Sequence, residues 1–161
     1  QCKCLSHRVH DYHTRVSGPL LDRIDITLQT RAVEYGDMAR VDSTEPSSAH
    51  YRLRVEEARE RQRHRFRGSL GVHCNAQMSP RLLRRHCRMT DRARQMLKRA
   101  MEMHGLSARA HDRILKVART RADLEGHEQI EDADMNLAID CRMLDRKSWL
   151  NSGTFQTPAR R

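Results

Sequence analysis

The stretch that decides the fold is T-D-R-A-R-Q-M-L-K-R-A-M-E-M-H-G, residues 90–105. Its apolar residues recur three and four positions apart, which is the spacing of one face of an α-helix (Ala93, Met96, Leu97, Ala100, Met101). Thr90 is a suitable N-cap, and Gly105 is typical of a helix C-terminus. The pattern therefore predicts an amphipathic helix with one buried face.

Two further helices are predicted after this one. Ser107 is a candidate N-cap for a helix that ends near Gly126 and has an apolar face of its own (Ala110, Ile114, Val117, Ala118). A third helix is predicted from about Asp132 to Met143. Amphipathic helices joined by short connections that contain glycine predict a bundle of helix hairpins.

The chain before residue 90 reads as a linker followed by a charged helix and a loop. Residues 41–48 are polar, and their last serines are suited to cap a helix over about residues 49–67. Apolar positions in that helix are sparse, so it is predicted to lie on a surface or against a partner. Residues 68–79 are predicted to be a loop, and Ser79-Pro80 is typical of the start of another helix.

One strand is predicted near the start of the chain. The run I-D-I-T-L at residues 24–28 alternates apolar and polar side chains, the pattern of a half-buried strand. A single strand needs a partner, and few other segments read as strand, so its partners are expected upstream of Gln1. The predicted fold class is mainly α, with one strand.

Composition limits the classes of protein that fit. The 161 residues suffice for one modest core, and the net charge of +10 favours polyanionic partners such as phosphates or nucleic acid. No apolar run approaches the ~20 residues that cross a bilayer. The five cysteines are irregularly spaced, which argues against a secreted disulfide framework and for a cytoplasmic protein. Because the chain opens on Gln1, it is expected to be part of a longer protein.

Nucleotide-binding loops are absent from the sequence. Neither G-x-x-x-x-G-K-[ST] nor G-x-G-x-x-G occurs, and the glycines are scattered singly. No hydrophobic strand ends in paired acids that would hold magnesium. The chain alone is therefore expected to bind no cofactor and to be inactive as an ATPase.

The segment S-G-P-L-L-D-R-I-D at residues 17–25 is the most informative for chemistry. A turn and an apolar pair precede Asp-Arg-x-Asp, which presents Arg23 on the rim of the predicted strand. An arginine donated to a neighbour's γ-phosphate accelerates hydrolysis ~10³- to 10⁵-fold in nucleotide-hydrolysing proteins. The spacing alone leaves a second interpretation open, a local ion-pair cluster of Asp22, Arg23 and Asp25.

Two weaker sites are suggested by residue type. Residues 81–104 carry eight basic and two acidic side chains, and the candidates for DNA backbone phosphates are arginines (Arg84, Arg85, Arg88, Arg92). Without interleaved aromatic residues no base-stacking platform is predicted, and a solvated helix face is the alternative. Cys2 and Cys4 are candidate zinc thiolates, but four ligands are normally needed.

Long motifs give the chain a family resemblance. They are V-S-G-P-L-L-D-R-I-D-I at 16–26, N-A-Q-M-S-P-R at 75–81, G-L-S-A-R-A-H-D-R-I-L-K-V-A-R-T-R-A-D-L-E-G at 105–126 and C-R-M-L-D-R at 141–146. With these motifs the chain resembles the C-terminal part of magnesium-chelatase-like AAA+ ATPases of the competence-protein ComM (YifB) type, from Cys2 to Arg146.

The resemblance implies a division of the chain. Residues 1–40 would be the C-terminal end of a AAA+ α/β core, residues 41–79 a linker with a charged helix, and residues 80–146 a helical lid. Residues 147–161 are expected to be a disordered tail. Cys2 and Cys4 would be the second half of a paired Cys-x-Cys pattern whose first half is missing, so no metal is predicted.

The resemblance also implies roles for three arginines. Arg23 would be the arginine finger, acting in trans, and Arg109 the sensor-2 arginine, with Arg113 a weaker candidate for the same pocket. The parent protein would use ATP and Mg²⁺, form a ring expected to be a hexamer, and act in DNA branch migration during natural transformation. Two alternatives stay open: a free-standing basic helical DNA-binding module, and an interaction domain of a metal-chelatase complex.

Overall fold

The structure is a computed structural model that describes residues 46–151 and, before them, residues 4–5, 7–8, 11, 15, 20, 23–28, 30, 32–33 and 35–36, with side chains described up to residue 143. The helices from residue 46 onward are α1 (Ser48–Arg65), α2 (Pro80–His86), α3 (Asp91–His104), α4 (Ala108–Glu125) and α5 (Asp132–Asn151). A short 3₁₀ helix, Asn75–Gln77, precedes α2. The mainly helical fold class is therefore confirmed.

Hydroxyl side chains cap the helices where the sequence predicts them. Thr90 Oγ1 accepts a hydrogen bond from the Ala93 amide of α3 at 3.0 Å, and Ser107 Oγ accepts one from Ala110 of α4 at 3.2 Å. Gly105 and Gly126 end these two helices with φ values of 55° and 79°, the left-handed region that glycine adopts without strain.

Helix α4 is the central element of the bundle. It packs against α5 and also contacts α1, α2 and the 3₁₀ helix, while α3 packs against α5. Side chains from α3, α4 and α5 form one apolar core that Ile130 joins from the loop before α5, and its central members are fully enclosed (Ala93, Leu97, Ile114, Ala118, Met135, Ala138). The predicted helix faces are thus the ones that pack.

Two loops join the N-termini of α3 and α5. Ile130 forms a parallel bridge with Met89, in which the Ile130 amide donates to the Arg88 carbonyl at 2.8 Å and Thr90 donates back at 3.1 Å. The Thr90 hydroxyl also donates to Asp132 at 2.8 Å. The two helix starts are therefore fixed relative to each other.

A buried polar junction fixes α1 to α4. We use this name for Arg65, Asn75, Arg119 and Asp123. Arg65 donates to both carboxylate oxygens of Asp123, with Nη1 2.7 Å from Oδ2, and the Asn75 amide donates to the same oxygen at 2.8 Å. Arg119 Nε donates to Asp123 Oδ1 at 3.1 Å. The charged helix α1 thus lies against a partner within the same chain.

The strand predicted over residues 24–28, with its partners expected upstream of Gln1, stays a prediction. Among the described residues this segment is not in a strand, and its backbone groups bond to helices instead. The Thr27 amide donates to the Cys141 carbonyl at 2.9 Å, and the Ile24 carbonyl accepts from Arg142 at 2.6 Å. Helix α5 thus satisfies these two backbone groups of the segment.

Helix α5 is longer than predicted. It continues from Asp132 to Asn151, past the boundary at 146/147 that was expected to begin a disordered tail. Residues 152–161 lie outside the described part of the chain. Within the described residues, no helix is long and apolar enough to span a membrane.

Candidate functional site

Residues 23–27 lie against helices α4 and α5, and we call them the docked segment. Helix α5 holds one side of the segment: the amide and hydroxyl of Thr27 both donate to the Cys141 carbonyl, at 2.9 and 2.6 Å. The next residue of α5, Arg142, donates from Nη1 to the Ile24 carbonyl at 2.6 Å. One turn of α5 therefore binds backbone groups at two points of the segment.

Helix α4 holds the other side of the docked segment. Arg113 Nη1 donates to the Arg23 carbonyl at 3.0 Å and also pairs with the Asp25 carboxylate. Asp25, one of the acids in the alternative ion-pair cluster, thereby pairs with a residue of α4. Asp22 lies outside the described residues.

Arg23 has a fixed backbone and an exposed side chain. Its amide donates to the Leu20 carbonyl at 2.9 Å, and its own carbonyl accepts from Arg113. The side chain is exposed to solvent. A fixed backbone with a solvent-exposed side chain suits an arginine that contacts a group outside its own chain.

Arg109 lies in the first turn of α4, two residues after the Ser107 cap, and is exposed. A helix N-terminus carries a partial positive charge and favours anions. Arg113 follows one turn later, about 6 Å further along the axis. The structure therefore brings the Arg113 side chain into contact with the Arg23 backbone, and Arg109 lies on the same helix as Arg113.

The remaining predicted site residues lie elsewhere. The arginines proposed for DNA are exposed around α2 and the start of α3, where Arg92 pairs with Asp132 at 3.2 Å. In the part of the chain that the structure describes, Arg84, Arg85 and Arg88 make no ion pair.

The candidate metal ligands are only partly described. Cys4 is exposed and Cys2 lies outside the described residues. The described residues contain no group of three or more His, Cys, Asp or Glu side chains that could hold a metal ion.

Sequence reasoning missed the polar junction and the role of Arg142. The spacing R-x-x-x-D of Arg119 and Asp123 was visible, but residues four apart also form ion pairs on solvated helix faces. Asp123 is 0% and Arg119 1% exposed, and Arg142 is 5% exposed. Arg119 and Asp123 are buried because Arg65 and Asn75, from other parts of the chain, pack against them. The spacing within α4 does not reveal such contacts.

Buried groups in this region have shifted pKa values. Burial would raise the pKa of Asp123, but hydrogen bonds from Arg65 and Asn75 outweigh it, and the pKa lies below its usual value. Burial raises the pKa of the Cys87 thiol to about 12. Asp123 is thus an anion at neutral pH, whereas Cys87 is a protonated, unreactive core thiol.

Residues 45–142 match the family model described as "Magnesium chelatase, subunit ChlI C-terminal". That match covers more than half of the chain. The chain belongs to the magnesium chelatase family. Residues 1–38 match a second family model, "Magnesium chelatase, subunit ChlI". The contacts of Arg113 and Arg142 with the docked segment therefore join the regions that the two magnesium chelatase models match.

Curated relatives are similar over most of the chain. It is 35% identical to competence protein ComM of Haemophilus influenzae over 84% of its length, and 34% identical to the uncharacterized protein YifB of Salmonella typhimurium over 89%. Identity to the uncharacterized protein Rv2897c of Mycobacterium tuberculosis is 38% over 78%. The resemblance to the ComM and YifB type is confirmed.

The chain spans about a quarter of the length of these relatives, namely 26%, 28% and 24%.

Proposed function

We propose that this chain is the C-terminal part of a magnesium-chelatase-like AAA+ ATPase of the ComM type. In the intact protein, a cytoplasmic ring expected to be a hexamer, Arg23 acts as the arginine finger in trans and Arg109 as the sensor-2 arginine. Both complete an ATP and Mg²⁺ site shared between subunits. The observation that carries the proposal is the Arg113 contact, which links the Arg23 backbone to the helix that bears Arg109.

The finger role of Arg23 is supported by its setting. Its side chain is exposed while its backbone is held by Leu20 and Arg113. A guanidinium positioned beside the γ-phosphate stabilises the charge on the transferred phosphoryl group in the transition state, an effect of ~10³- to 10⁵-fold in rate. A held main chain reduces the entropy lost when the arginine is positioned.

The sensor role of Arg109 is supported by its position at the N-terminus of α4. Helix dipole and guanidinium reinforce each other there, and the planar fork of arginine complements a phosphate. Because Arg113 ties this helix to the docked segment, we assign Arg23 and Arg109 to the same nucleotide.

The chain supplies these arginines but no phosphate-binding loop, since G-x-x-x-x-G-K-[ST] is absent from its 161 residues. We therefore expect no ATP hydrolysis by the chain alone.

DNA is the proposed substrate of the parent, which we assign to branch migration in natural transformation. The support is the net charge of +10, the exposed arginines around α2 and the similarity to a competence protein. Salt-sensitive DNA binding that weakens when Arg84, Arg85 and Arg88 are replaced by Ala supports this assignment. Capture of a protein partner without DNA binding would instead favour an interaction domain of a chelatase complex.

The finger is tested by Arg23→Ala in the intact protein. We expect ATP turnover to fall by ~10³-fold or more, because transition-state charge is left unstabilised, while ATP binding stays largely in place. Arg63→Ala is a matched control, because Arg63 is exposed on α1 and, among the described residues, forms an ion pair only with Glu60. Turnover that survives in Arg23→Ala would contradict the finger assignment.

A further inference from the structure

We propose that Arg113 and Arg142 are positioning residues that hold the backbone of Arg23 on the lid, so that ATP turnover depends on the contact between the docked segment and helices α4 and α5. The inference rests on the proposed function of Arg23. In this inference Arg113 binds protein groups and not the nucleotide: it contacts the carbonyl of Arg23 and the carboxylate of Asp25.

Arg142 is built to hold a backbone. Its side chain belongs to α5 and is 5% exposed, and Nη1 lies 2.6 Å from the Ile24 carbonyl. A charged donor to a carbonyl is stronger than a neutral one. The residue directly after Arg23 is therefore tied to the lid by a side chain that has little freedom to move.

Arg113 holds the finger more directly and in a more accessible place. It grips the Arg23 carbonyl and the Asp25 carboxylate with one nitrogen, and the two side chains of the pair are 24% and 52% exposed. A pair at this depth tolerates replacement better than a buried one, and reversal of the two charges preserves the attraction.

Together with Thr27, these contacts fix three main-chain groups that directly follow Arg23 Cα. The carbonyls of Arg23 and Ile24 and the amide of Thr27 each have a partner on a lid helix. Release of one contact lets the finger shift, and a displacement of about 1 Å is enough to lower a catalytic rate ~100-fold.

A charge swap in the intact protein tests the pair. Asp25→Arg and Arg113→Asp should each lower kcat for ATP hydrolysis ~10- to 100-fold, with a much smaller change in KM for ATP, because the finger acts in the transition state. The double variant restores the ion pair but not the hydrogen bond to the Arg23 carbonyl, because a carboxylate cannot donate, and it should recover part of kcat. If Arg113 binds phosphate instead, the double variant stays as slow as Arg113→Asp, and the positioning role is wrong.

Two milder variants test α5. Thr27→Val keeps the side-chain shape and the amide bond but removes the hydroxyl bond to Cys141, and Arg142→Met removes the donor to Ile24. We expect kcat to fall in both, more in Arg142→Met, and Arg142→Lys to recover part of it. Arg94→Ala is the control, because Arg94 is exposed on α3 and pairs with Asp91 at 3.6 Å.

The outcomes separate this inference from the proposal on which it rests. If Arg23→Ala keeps full turnover, the finger assignment fails. If Arg23→Ala abolishes turnover but the variants of Arg113, Arg142 and Thr27 keep the kcat of the control, the finger stands and the positioning role is overturned.

Discussion

Helix α4 packs in two chemically different ways. Its apolar face, which includes Ile114, Ala118 and Ala122, joins the core that α3 and α5 share. A second face carries Arg119 and Asp123 into the polar junction with α1 and the 3₁₀ helix.

The two faces differ in how stability is distributed. Apolar contacts are many and weak, so the loss of one methyl group removes only its share. In the polar junction one carboxylate, Asp123, accepts from Arg65, Asn75 and Arg119, all with little exposure. Removal of that carboxylate leaves two guanidinium groups without their counter-charge. The contacts of the junction should therefore be lost together.

The largest expected effect comes from Asp123→Ala. Because Arg65 and Arg119 lose their common acceptor, the free energy of unfolding should fall by ~3–5 kcal/mol in urea denaturation. A loss below ~1 kcal/mol would mean that water or other groups replace the carboxylate, and the contrast between the two faces would not hold.

A smaller effect is expected on the apolar face. Ile114 is 1% exposed in the core, and Ile114→Val removes one methylene group from it. The free energy of unfolding should fall by ~0.5–1.5 kcal/mol, measured in the same way. An effect as large as that of Asp123→Ala would show that the core is as intolerant as the junction.

The rim of the α1 interface should matter less than its centre. Arg54 donates to Glu125 at 2.9 Å, and the two side chains are 38% and 33% exposed. Arg54→Ala should change the free energy of unfolding by no more than ~0.5 kcal/mol, and added salt should reduce even that. A loss near that of Asp123→Ala would show that the exposed Arg54–Glu125 pair contributes as much to the free energy of unfolding as the buried junction.

The smallest effect is expected in the pH dependence of stability. His127, just after α4, donates from Nδ1 to Asp134 of α5 at 2.9 Å, and this hydrogen bond raises the pKa of His127 above its ordinary 6.5. Glu131 and Glu125 act in the same direction. The stabilisation is complete below pH ~6.5 and is lost as the pH rises through the raised value.

The variant His127→Gln isolates this term. His86, whose pKa is lowered by burial and then by Arg85, contributes to the pH dependence with the opposite sign, so only the difference between wild type and variant is informative. We expect the melting temperature of the wild type to fall relative to that of His127→Gln as the pH rises above ~6.5. Parallel curves across that range would show that the Asp134 contact does not depend on His127 protonation.

Apolar spacing and caps predicted much of the fold. The face of Ala93, Leu97 and Ala100, and the ends at Thr90 and Gly105, were readable because helix period and capping chemistry are local. Among the described residues, 24–28 are not in a strand, and alternation alone does not distinguish a strand from a segment whose backbone groups bond to helices.

The candidate site was predictable only in part. Arg23 and Arg109 were named from motifs, and their roles stay predictions. The contacts of Arg142 with Ile24 and of Arg65 with Asp123 span 118 and 58 positions of the chain. No periodicity encodes such pairs, because they arise from how the helices pack.

The central claim is that Arg23 completes an ATP site on another subunit, and complementation between subunits tests it most directly. Intact Arg23→Ala subunits are mixed with subunits whose phosphate-binding loop, expected upstream of this chain, is disabled. Each is inactive alone. The account predicts that the mixture regains ATP turnover, because Arg23 of one subunit reaches ATP bound by the other. A mixture of verified mixed rings that stays as inactive as its components would contradict it.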